Sequence, residues 1–379
     1  MVPDLVVVGG GPVGLAAAIA ARQRGLEVLV TDKAQPPIDK PCGEGVMPEG
    51  VSALRALGVH VDTFNRNALP FYGIRFIDAG LSAEAYFPEV VGHGLGIRRP
   101  VLHQMLSLRA GEVGVVTRWG EPVTGVSSAG VRIAGRNVPC RWIVGADGRE
   151  SRVRRWAGFR LPSNARRRIG LRQHFLARPW TDFVEVHWHD LGQAVVTPIA
   201  SNEVCISVFA NAPCRPMAEL IGLFPELCRR LRGAHATSSV RGAVSGSSDV
   251  RSVVRDRIAL VGDASGSVDA LTGEGLSLGF RQALTLAEAV EQQDLAQYQI
   301  VHRHITRVPR RMANLMLCVG ARAGLRRRVL HALNSQSQMF GFMLGVHTAA
   351  LSLSALPPGV ITRFARNFVC MGPAQRWEL

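Results

Sequence analysis

The sequence lacks several features that mark common classes of protein. Only 19% of its 379 residues are charged while 47% are hydrophobic, against a usual charged share of roughly 25%, which excludes a disordered or coiled-coil chain. The seven cysteines are scattered and contain no Cys-x-x-Cys pair. A disulfide framework or an iron–sulfur site is therefore not expected, and a reducing cytoplasm is the simplest setting.

Lysine is almost absent, so the excess of basic residues is not by itself evidence for a binding function. The net charge is +15, but all but two of the 44 basic side chains are arginine, the exceptions being Lys33 and Lys40. A GC-rich genome could produce this bias without selection for binding. Clusters at 149–172 and 303–328 could attract an acidic carrier protein or a membrane surface, or could be solvated. No aromatic-interleaved basic motif accompanies them, so nucleic acid is not predicted.

A glycine-rich turn follows a buried-strand pattern near the start. Leu5-Val-Val-Val predicts a strand and leads into Gly9-Gly-Gly11-Pro-Val-Gly14 and an alanine-rich helix. Gly9 would make the tight turn, Gly11 would let the backbone approach a pyrophosphate, and Gly14 would let the helix pack on the strand. The next strand ends at Asp32, where a carboxylate can accept hydrogen bonds from an adenosine ribose. This spacing predicts a dinucleotide site; a chance glycine turn is the alternative.

Two further apolar segments, each ending in an aspartate, narrow the choice of ligand. They are Trp142-Ile-Val-Gly-Ala-Asp147 and Ile258-Ala-Leu-Val-Gly-Asp263, the second followed by a Thr-Gly273-Glu-Gly-Leu turn and a helical pattern. With the first motif, they resemble the p-hydroxybenzoate hydroxylase-type FAD-dependent oxidoreductases. That superfamily holds the group A flavoprotein monooxygenases, the geranylgeranyl reductases and the flavin-dependent halogenases. The three motifs spread over residues 9–276, so the resemblance covers about the whole chain, and it implies FAD as the cofactor.

The resemblance implies roles for particular residues. Asp263 would bond the ribityl hydroxyls of FAD, and the turn with Gly273, Gly275 and Leu276 would direct a helix N-terminus at the pyrimidine edge. Reduced flavin carries negative charge at that edge, and a helix N-terminus stabilises an anion. Asp147 lies in the motif associated with both FAD and NAD(P)H. Capping of a helix is the alternative role for both aspartates.

Three more residues are predicted to bind the cofactor. Arg99 lies in a segment similar to the family's Arg-x-x-Leu-x-x-x-Leu helix start, where a guanidinium can hold a phosphate bidentately. The neighbouring Arg98 could be the ligand instead, or both could be surface charges. Val123 matches the segment that contacts adenine through its backbone. Lys33 follows the strand-ending aspartate and is predicted beside the adenosine.

The loop Pro41-Cys42-Gly43-Glu-Gly45 resembles the loop that passes beside the flavin ring in the geranylgeranyl reductases. Its glycines would let it lie against a flat ring, so Cys42 and Gly43 are predicted to contact the cofactor. The cysteine could be a covalent tether, a redox thiol or a small hydrophobe, and packing is the default without a neighbouring base or metal. No metal site is predicted, and no catalytic residue is identified.

The segment 160–250 has the pattern of a mixed-sheet domain that would form the floor of a substrate pocket. Four successive antiparallel strands are predicted at 171–175, 183–189, 193–198 and 204–208. His187 and His189 share one strand face, which we interpret as facing solvent. His174 is the better candidate for a pocket acid or base.

The predicted fold is α/β: a doubly wound, glutathione-reductase-like FAD-binding domain with an inserted mixed-sheet substrate domain and C-terminal helices. The FAD-binding domain is expected at 1–60, 95–160 and 250–290, the substrate domain at 61–94 and 161–249, and the helical region at 291–379. The apolar stretch 5–21 has no basic start and is not read as a signal. The uncharged stretch 339–356 approaches the length of a membrane span, but a core helix or a lid over an apolar substrate is favoured over a monotopic anchor.

Two enzymatic hypotheses share this scaffold. A monooxygenase would hydroxylate an aromatic or polyketide-like small molecule through a flavin C4a-hydroperoxide, and a reductase would act on carbon–carbon double bonds in a lipid-like, prenyl substrate. The sequence favours the monooxygenase, because the prenyl-reducing members carry Tyr-x-Trp-x-Phe-Pro where this chain has Gln193-Ala-Val-Val-Thr197-Pro198. A non-catalytic, membrane-associated electron carrier is a third hypothesis. No second G-x-G-x-x-G unit is visible, so electrons are expected to arrive from NAD(P)H that docks transiently or from a protein donor.

Overall fold

The computed structural model describes residues 2–61, 67–160, 168–210 and 215–369, so Cys214 and Cys370 lie outside the described residues. The α-helices in that part of the chain are α1 Pro12–Arg22, α2 Pro48–Ala56, α3 Arg99–Glu112, α4 Arg152–Trp156, α5 Met217–Ile221, α6 Pro225–Arg230, α7 Gly275–Glu291, α8 Leu295–Gly320, α9 Ala323–Asn334, α10 Ser337–His347 and α11 Pro358–Val369.

The strands alternate with these helices in the first half of the chain and cluster in its middle. The first group is β1 Leu5–Val8, β2 Val28–Asp32, β3 Gly45–Val46, β4 Ala68–Phe71, β5 Gly73–Asp78, β6 Leu81–Tyr86, β7 Gly94–Ile97, β8 Val116–Trp119, β9 Val123–Ser127, β10 Gly130–Ile133, β11 Arg136–Val138 and β12 Trp142–Gly145. The second is β13 Arg168–Leu176, β14 Phe183–His189, β15 Gly192–Ala200, β16 Glu203–Ala210, β17 His235–Ala236, β18 Arg241–Ser245, β19 Ser248–Asp249, β20 Val254–Arg255, β21 Ile258–Leu260 and β22 Gly266–Ser267.

The sheet that carries the glycine-rich turn has the order β20-β21-β12-β1-β2-β8. β1 lies between β12 and β2 and is parallel to both, and β21 is parallel to β12. Each of the four residues of β1 is buried, as expected for a parallel strand with both faces covered. The carboxyl ends of β1, β12 and β21 therefore meet at one edge, which brings together Gly9, Asp147 and Asp263. This architecture confirms the predicted fold class.

A second sheet has the order β17-β13-β16-β15-β14-β5-β6, with β18 also paired to β13. The four predicted strands are present as β13 to β16. β14, β15 and β16 form an antiparallel meander, but β13 pairs with β16 instead of β14. One face of this sheet packs on α5 and α6, and the other packs on the C-terminal helices.

The prediction that His187 and His189 face solvent is wrong. His187 is only 3% exposed, its ring lies 6.2 Å from that of Phe224, and its Nε2 is 3.1 Å from Glu185 Oε2. His189 is half-buried and also packs on Phe224. The residues of α5 and α6 cover this face, and nothing in the strand's own alternation reveals them.

The C-terminal region is helical, as predicted, with α7 starting at the expected turn. The uncharged stretch 339–356 is not one helix, because α10 ends at His347 and turns follow. Phe340, Leu344 and Val346 of α10 are buried, which agrees with a core or lid helix. Among the described residues, no helix combines the length and apolar character needed to cross a bilayer. The predicted domain boundaries stay predictions.

Candidate active site

A cavity of about 1070 Å³ runs from the carboxyl edge of the parallel sheet, past the loop at 41–45, to the C-terminal helices. The end at the sheet is polar and is lined by the glycine-rich turn, Arg99, Asp147 and Asp263. The far end is apolar and is lined by side chains of the second sheet and of α8 to α11. The cavity thus joins the predicted cofactor residues to this apolar end, which we call the apolar chamber.

The glycine-rich turn has the geometry that its sequence requires. Gly9 has a φ of +110°, and a Cβ there would lie 2.5 Å from the carbonyl oxygen of Ala146. A Cβ on Gly14 would lie 1.8 Å from the carbonyl oxygen of Gly9, so the helix presses directly on the turn. Gly11 is different, because no described atom lies within 4 Å of its ideal Cβ and it lines the cavity. The backbone at Gly11 is therefore open to a bulky anion.

Three predicted adenosine contacts differ in their placement. Lys33 lines the cavity, whereas Asp32 and Val123 do not. The Asp32 carboxylate accepts hydrogen bonds from the backbone N–H groups of Gly10 and Ala34, both at 2.8 Å. It therefore holds the glycine-rich turn against the end of β2. Val123 is buried at the start of β9. The roles of these residues toward adenosine stay predictions.

Arg98 and Arg99 face different partners. Arg98 pairs with both carboxylate oxygens of Glu203, at 2.7 Å for the Nε contact. Arg99 lines the cavity, and its buried Nε has no hydrogen-bond partner among the described residues. Of the two guanidiniums, only that of Arg99 is available to an anion in the cavity.

The two strand-end aspartates both reach the cavity. Asp147 Oδ2 caps α4 by accepting hydrogen bonds from the backbone of Arg152 and Val153, while its buried Oδ1 has no partner in the described part of the chain. Asp263 is exposed and lines the cavity, and the protein around its carboxyl partly desolvates it. This desolvation raises the pKa of its carboxyl, against the opposing charge of Arg99. Asp147 therefore caps a helix and still offers an oxygen to a ligand.

The turn before α7 opens the start of that helix to the cavity. Gly273 has left-handed backbone, with φ at +68°, and ends the preceding turn. Gly273, Gly275 and Leu276 all line the cavity, and no described atom lies within 4 Å of an ideal Cβ on Gly275. The free N–H groups at the start of α7 can therefore face a negatively charged ring edge.

These features fit an extended dinucleotide. Its diphosphate would meet the open backbone of Gly11 and the free guanidinium of Arg99, and its flavin would meet the start of α7. Oδ1 of Asp147, which has no partner in the described part of the chain, and the carboxylate of Asp263, which lines the cavity, are acceptors for hydroxyl groups between those points. We therefore infer that the polar end of the cavity can hold FAD.

The loop with Cys42 and Gly43 forms one wall between the two ends of the cavity. It is held from behind by Glu44, whose carboxylate lies 2.5 Å from His174 Nε2 and accepts a hydrogen bond from the backbone of Arg99. His174 does not line the cavity, so the prediction that it serves as a pocket acid or base is wrong. Its ring belongs to the support of the loop.

Glu44, His174 and Cys205 place three donor atoms within 4.8 Å of one another, a spacing that could hold a metal ion. Arg172 Nη1 lies 3.7 Å from Glu44, however, and burial raises the pKa of the Cys205 thiol well above its ordinary value. A cysteine binds a metal ion as the thiolate, which this environment disfavours. We therefore interpret the group as a buried ion-pair support. The five described cysteines are all free.

Sequence reasoning missed a second ionisable group, formed by Glu49, Glu274 and His347. His347 Nε2 lies 2.8 Å from Glu274 Oε1, with side-chain exposures of 7% and 1%. His347 lines the cavity. The three residues belong to α2, the start of α7 and the end of α10, so no local spacing in the sequence could have indicated the contact.

The fold and the site together define a class of protein, the flavin-dependent oxidoreductases. A family model described as "FAD binding domain" matches residues 3–293. The chain belongs to this family, within the p-hydroxybenzoate hydroxylase-type FAD-dependent oxidoreductases.

Individual relatives include both reductases and oxygenases. A menaquinone reductase of Mycobacterium tuberculosis is 30% identical over 77% of this chain and 78% of its own length. A digeranylgeranylglycerophospholipid reductase of Methanothermobacter thermautotrophicus is 24% identical over 73% and 74% of the two chains. The crystal structure of p-nitrophenol 4-monooxygenase from Pseudomonas putida has a TM-score of 0.78 at 18% identity, covering 92% of this chain and 98% of that one. At that identity the likeness shows the fold.

Proposed function

We propose that the protein is an FAD-dependent reductase that saturates a carbon–carbon double bond in an isoprenoid lipid. The observation that carries this proposal is the apolar end of the cavity. It is continuous with the predicted position of the flavin edge. Apolar side chains of the second sheet and of α8 to α11 line it, among them Met316, Leu333 and Met343. An extended hydrocarbon chain could be buried there, with favourable burial of roughly 0.8 kcal/mol per CH₂ group.

An aromatic wall in this chamber supports a prenyl substrate, because it supplies the kind of aromatic surface that the segment 193–198 lacks. The rings of Phe76 and Trp188 are stacked at 4.8 Å, and those of Phe76 and Phe340 at 5.0 Å. All three side chains line the cavity. β15 has no aromatic residue at the corresponding positions, and its Val195 and Thr197 line the cavity there. The aromatic surface therefore comes from β5, β14 and α10 instead of β15.

The outer surface of α8 supports access for a lipid. Arg303, Arg307, Arg311 and Leu315 follow one another at four-residue spacing, so they share one helix face, and all are exposed. Leu315 also lines the cavity. The chamber thus reaches the surface beside a basic stripe, where anionic headgroups would be attracted by about 1 kcal/mol per arginine. We include a membrane surface as the source of the substrate.

The relatives' names point in the same direction. A menaquinone reductase and a digeranylgeranylglycerophospholipid reductase are both similar to this chain over about three quarters of its length. Bound, reduced FAD would supply two electrons and one hydrogen to the double bond. The residues of this chain would hold the substrate chain along the aromatic wall and exclude water from it. A nicotinamide, NADH or NADPH, would reduce the protein by docking transiently.

The test is anaerobic turnover with a menaquinone that carries an unsaturated isoprenoid chain. We expect a product two hydrogens heavier, and the added mass should survive reoxidation of the ring in air, which separates chain reduction from quinol formation. Substrate-dependent oxygen uptake with one oxygen atom in the product would instead support the monooxygenase hypothesis. Reduction of the bound flavin by a quinol, with no other organic substrate converted, would support an electron carrier.

A pair of tryptophan variants tests the role of the chamber. Met343 lines the cavity and the neighbouring Phe342 does not, while both are half-buried. Met343→Trp should raise KM for a long isoprenoid substrate and leave a short-chain analogue nearly unchanged. Phe342→Trp should discriminate much less between the two. Equal effects of both variants on both substrates would contradict the proposed binding mode.

A further inference from the structure

A buried acid–base cluster lies where three helices meet beside the cavity. We define the relay cluster as Glu49 of α2, Glu274 before α7 and His347 of α10. His347 and Glu274 are both buried and their ion-pair contact is 2.8 Å. Glu49 is half-buried, its Oε2 is buried without a hydrogen-bond partner among the described residues, and its charge acts on both Glu274 and His347.

The charges within the relay cluster favour a protonated imidazole. Burial alone lowers the pKa of His347, but Glu274 and Glu49 outweigh it, so the pKa of His347 is raised above its ordinary value. Burial, together with the charge of Glu274, raises the pKa of Glu49 to about 7. Arg281 acts on Glu49 in the opposite direction. The cluster can therefore hold and exchange protons near neutral pH.

His347 also occupies a distinctive position on the cavity wall. It lines the cavity together with Thr272 and Gly273, the turn predicted to face the flavin, and with Phe340 and Leu344 of the apolar chamber. The other ionisable side chain contributed to this wall by α8 to α10 in the described residues is Cys318, which is exposed. Nε2 of His347 faces Glu274, whereas its buried Nδ1 has no hydrogen-bond partner in the described part of the chain, so Nδ1 is the ring nitrogen left for a double bond presented from the chamber.

We propose that His347 donates the proton that completes saturation of the substrate double bond, and that Glu274 and Glu49 return a proton to it from solvent. This inference rests on the proposed reductase function. It assigns His347 as a catalytic residue and the two glutamates as positioning residues.

The atoms and electrons of this step balance. Saturation of one C=C bond requires two electrons and two protons. One hydride equivalent, which carries both electrons, is supplied to the first carbon by the reduced flavin. The second carbon takes a proton from the His347 imidazolium, so the π bond is lost and two C–H bonds form. The neutral imidazole then regains a proton through Glu274 and Glu49 from water.

The experiment separates the two half-reactions of the holoenzyme. His347→Asn should slow reoxidation of the reduced flavin by the isoprenoid menaquinone, under anaerobic conditions, by about 100-fold or more, the range for loss of a general acid. Reduction of the flavin by dithionite should be unchanged. In wild type, reoxidation should slow as the pH rises through the pKa of His347, and this dependence should be absent in the variant. His331→Asn, at an exposed position of α9, is the matched control and should behave as wild type.

A measurement without turnover tests the electrostatics directly. The imidazole resonances of His347, assigned by their loss in His347→Asn, should titrate above the ordinary histidine value in the resting protein. Glu274→Gln should lower that pKa, because it removes the carboxylate in contact with the ring. A titration unchanged by Glu274→Gln would overturn the role given to the relay cluster.

The outcomes are distinguishable. If wild type does not reduce the isoprenoid chain, the proposed function fails and the inference fails with it. If wild type reduces it and His347→Asn retains the same rate and pH profile, the inference alone fails. If His347→Asn loses FAD or fails to fold, Glu49→Gln is the variant to measure. Because Glu49 is assigned to the return of the proton, Glu49→Gln should show a normal rate in the first turnover and a slower rate in steady state. Wild-type values for both rates would overturn the proposal.

Discussion

Alanine substitutions at Gly11 and Gly14 should separate cofactor binding from folding. Gly11 is the N-cap of α1 and Gly14 lies three residues later in the first turn of that helix, but their surroundings are opposite. A Cβ at Gly14 would lie 1.8 Å from the carbonyl oxygen of Gly9, whereas a Cβ at Gly11 would meet no described atom within 4 Å. Gly11 also has φ at −68° and ψ at 173°, a conformation open to any residue.

The magnitudes follow from these surroundings. Relief of the Gly14→Ala contact requires α1 to move by roughly an ångström or more against a close-packed core, so we expect destabilisation of about 3 kcal/mol or more, at the upper end of overpacking. Gly11→Ala introduces no contact and restricts the unfolded chain, so stability should be unchanged or higher by about 0.4–1 kcal/mol. Its methyl group would occupy space assigned to the diphosphate. FAD affinity should therefore fall by at least about tenfold, or 1.4 kcal/mol.

The assay combines urea unfolding of the apoprotein with titration of FAD by flavin fluorescence. Gly14→Ala should lower the unfolding midpoint, and Gly11→Ala should lower FAD affinity without lowering that midpoint. Wild-type FAD affinity in Gly11→Ala would refute the placement of the diphosphate at this turn. Wild-type stability in Gly14→Ala would refute the argument from close contact.

Three further substitutions test the site and its supports. Asp263→Ala should weaken FAD binding by about 1.5–3 kcal/mol, the range for a hydrogen bond to a charged group, and unchanged flavin absorbance after gel filtration would contradict the assignment. Folding raises the pKa of Glu49 from 4.5 to about 7. Its contribution to the free energy of unfolding is therefore fully present below pH 4.5, where the carboxyl is protonated in both states, and is lost as the pH rises through 7. Glu49→Gln should then exceed wild type by about 1–3 kcal/mol at pH 8 and match it at pH 4. Arg326→Met should destabilise by about 3–5 kcal/mol in urea unfolding because it leaves the buried Asp78 unpaired, whereas Arg327→Met, at an exposed position, should have little effect.

The cofactor end of the fold could be predicted from sequence because its signals are local. The strand before Gly9, the turn itself and α1 lie within about twenty residues, and each part carries its own pattern. The same holds for the start of α7 after Gly273. Parallel pairing of β1, β12 and β21 then brings their ends together, as the sequence predicted from three buried runs that end in glycine or aspartate.

Features that depend on distant segments could not be predicted in this way. The alternation in β14 correctly separates His187 from Val186 and Trp188, but the burial of His187 depends on Phe224, which lies just before α6. The contact between Glu274 and His347 joins the start of α7 to the end of α10. Neither pairing has a spacing rule, because each depends on how whole elements dock.

The shape of the apolar chamber depends on the same kind of long-range contact. Arg326 of α9 is buried and holds Asp78 at the end of β5 at 2.9 Å, Asp190 after β14 at 2.8 Å, and the carbonyl oxygen of Gly320 at the end of α8. This one guanidinium fixes the corner between α8 and α9 against the second sheet. The family match ends at residue 293, so the helices that complete the chamber lie beyond it. A shared FAD scaffold can therefore serve different substrates, because the wall that meets the substrate is built by helices that are docked through contacts such as those of Arg326.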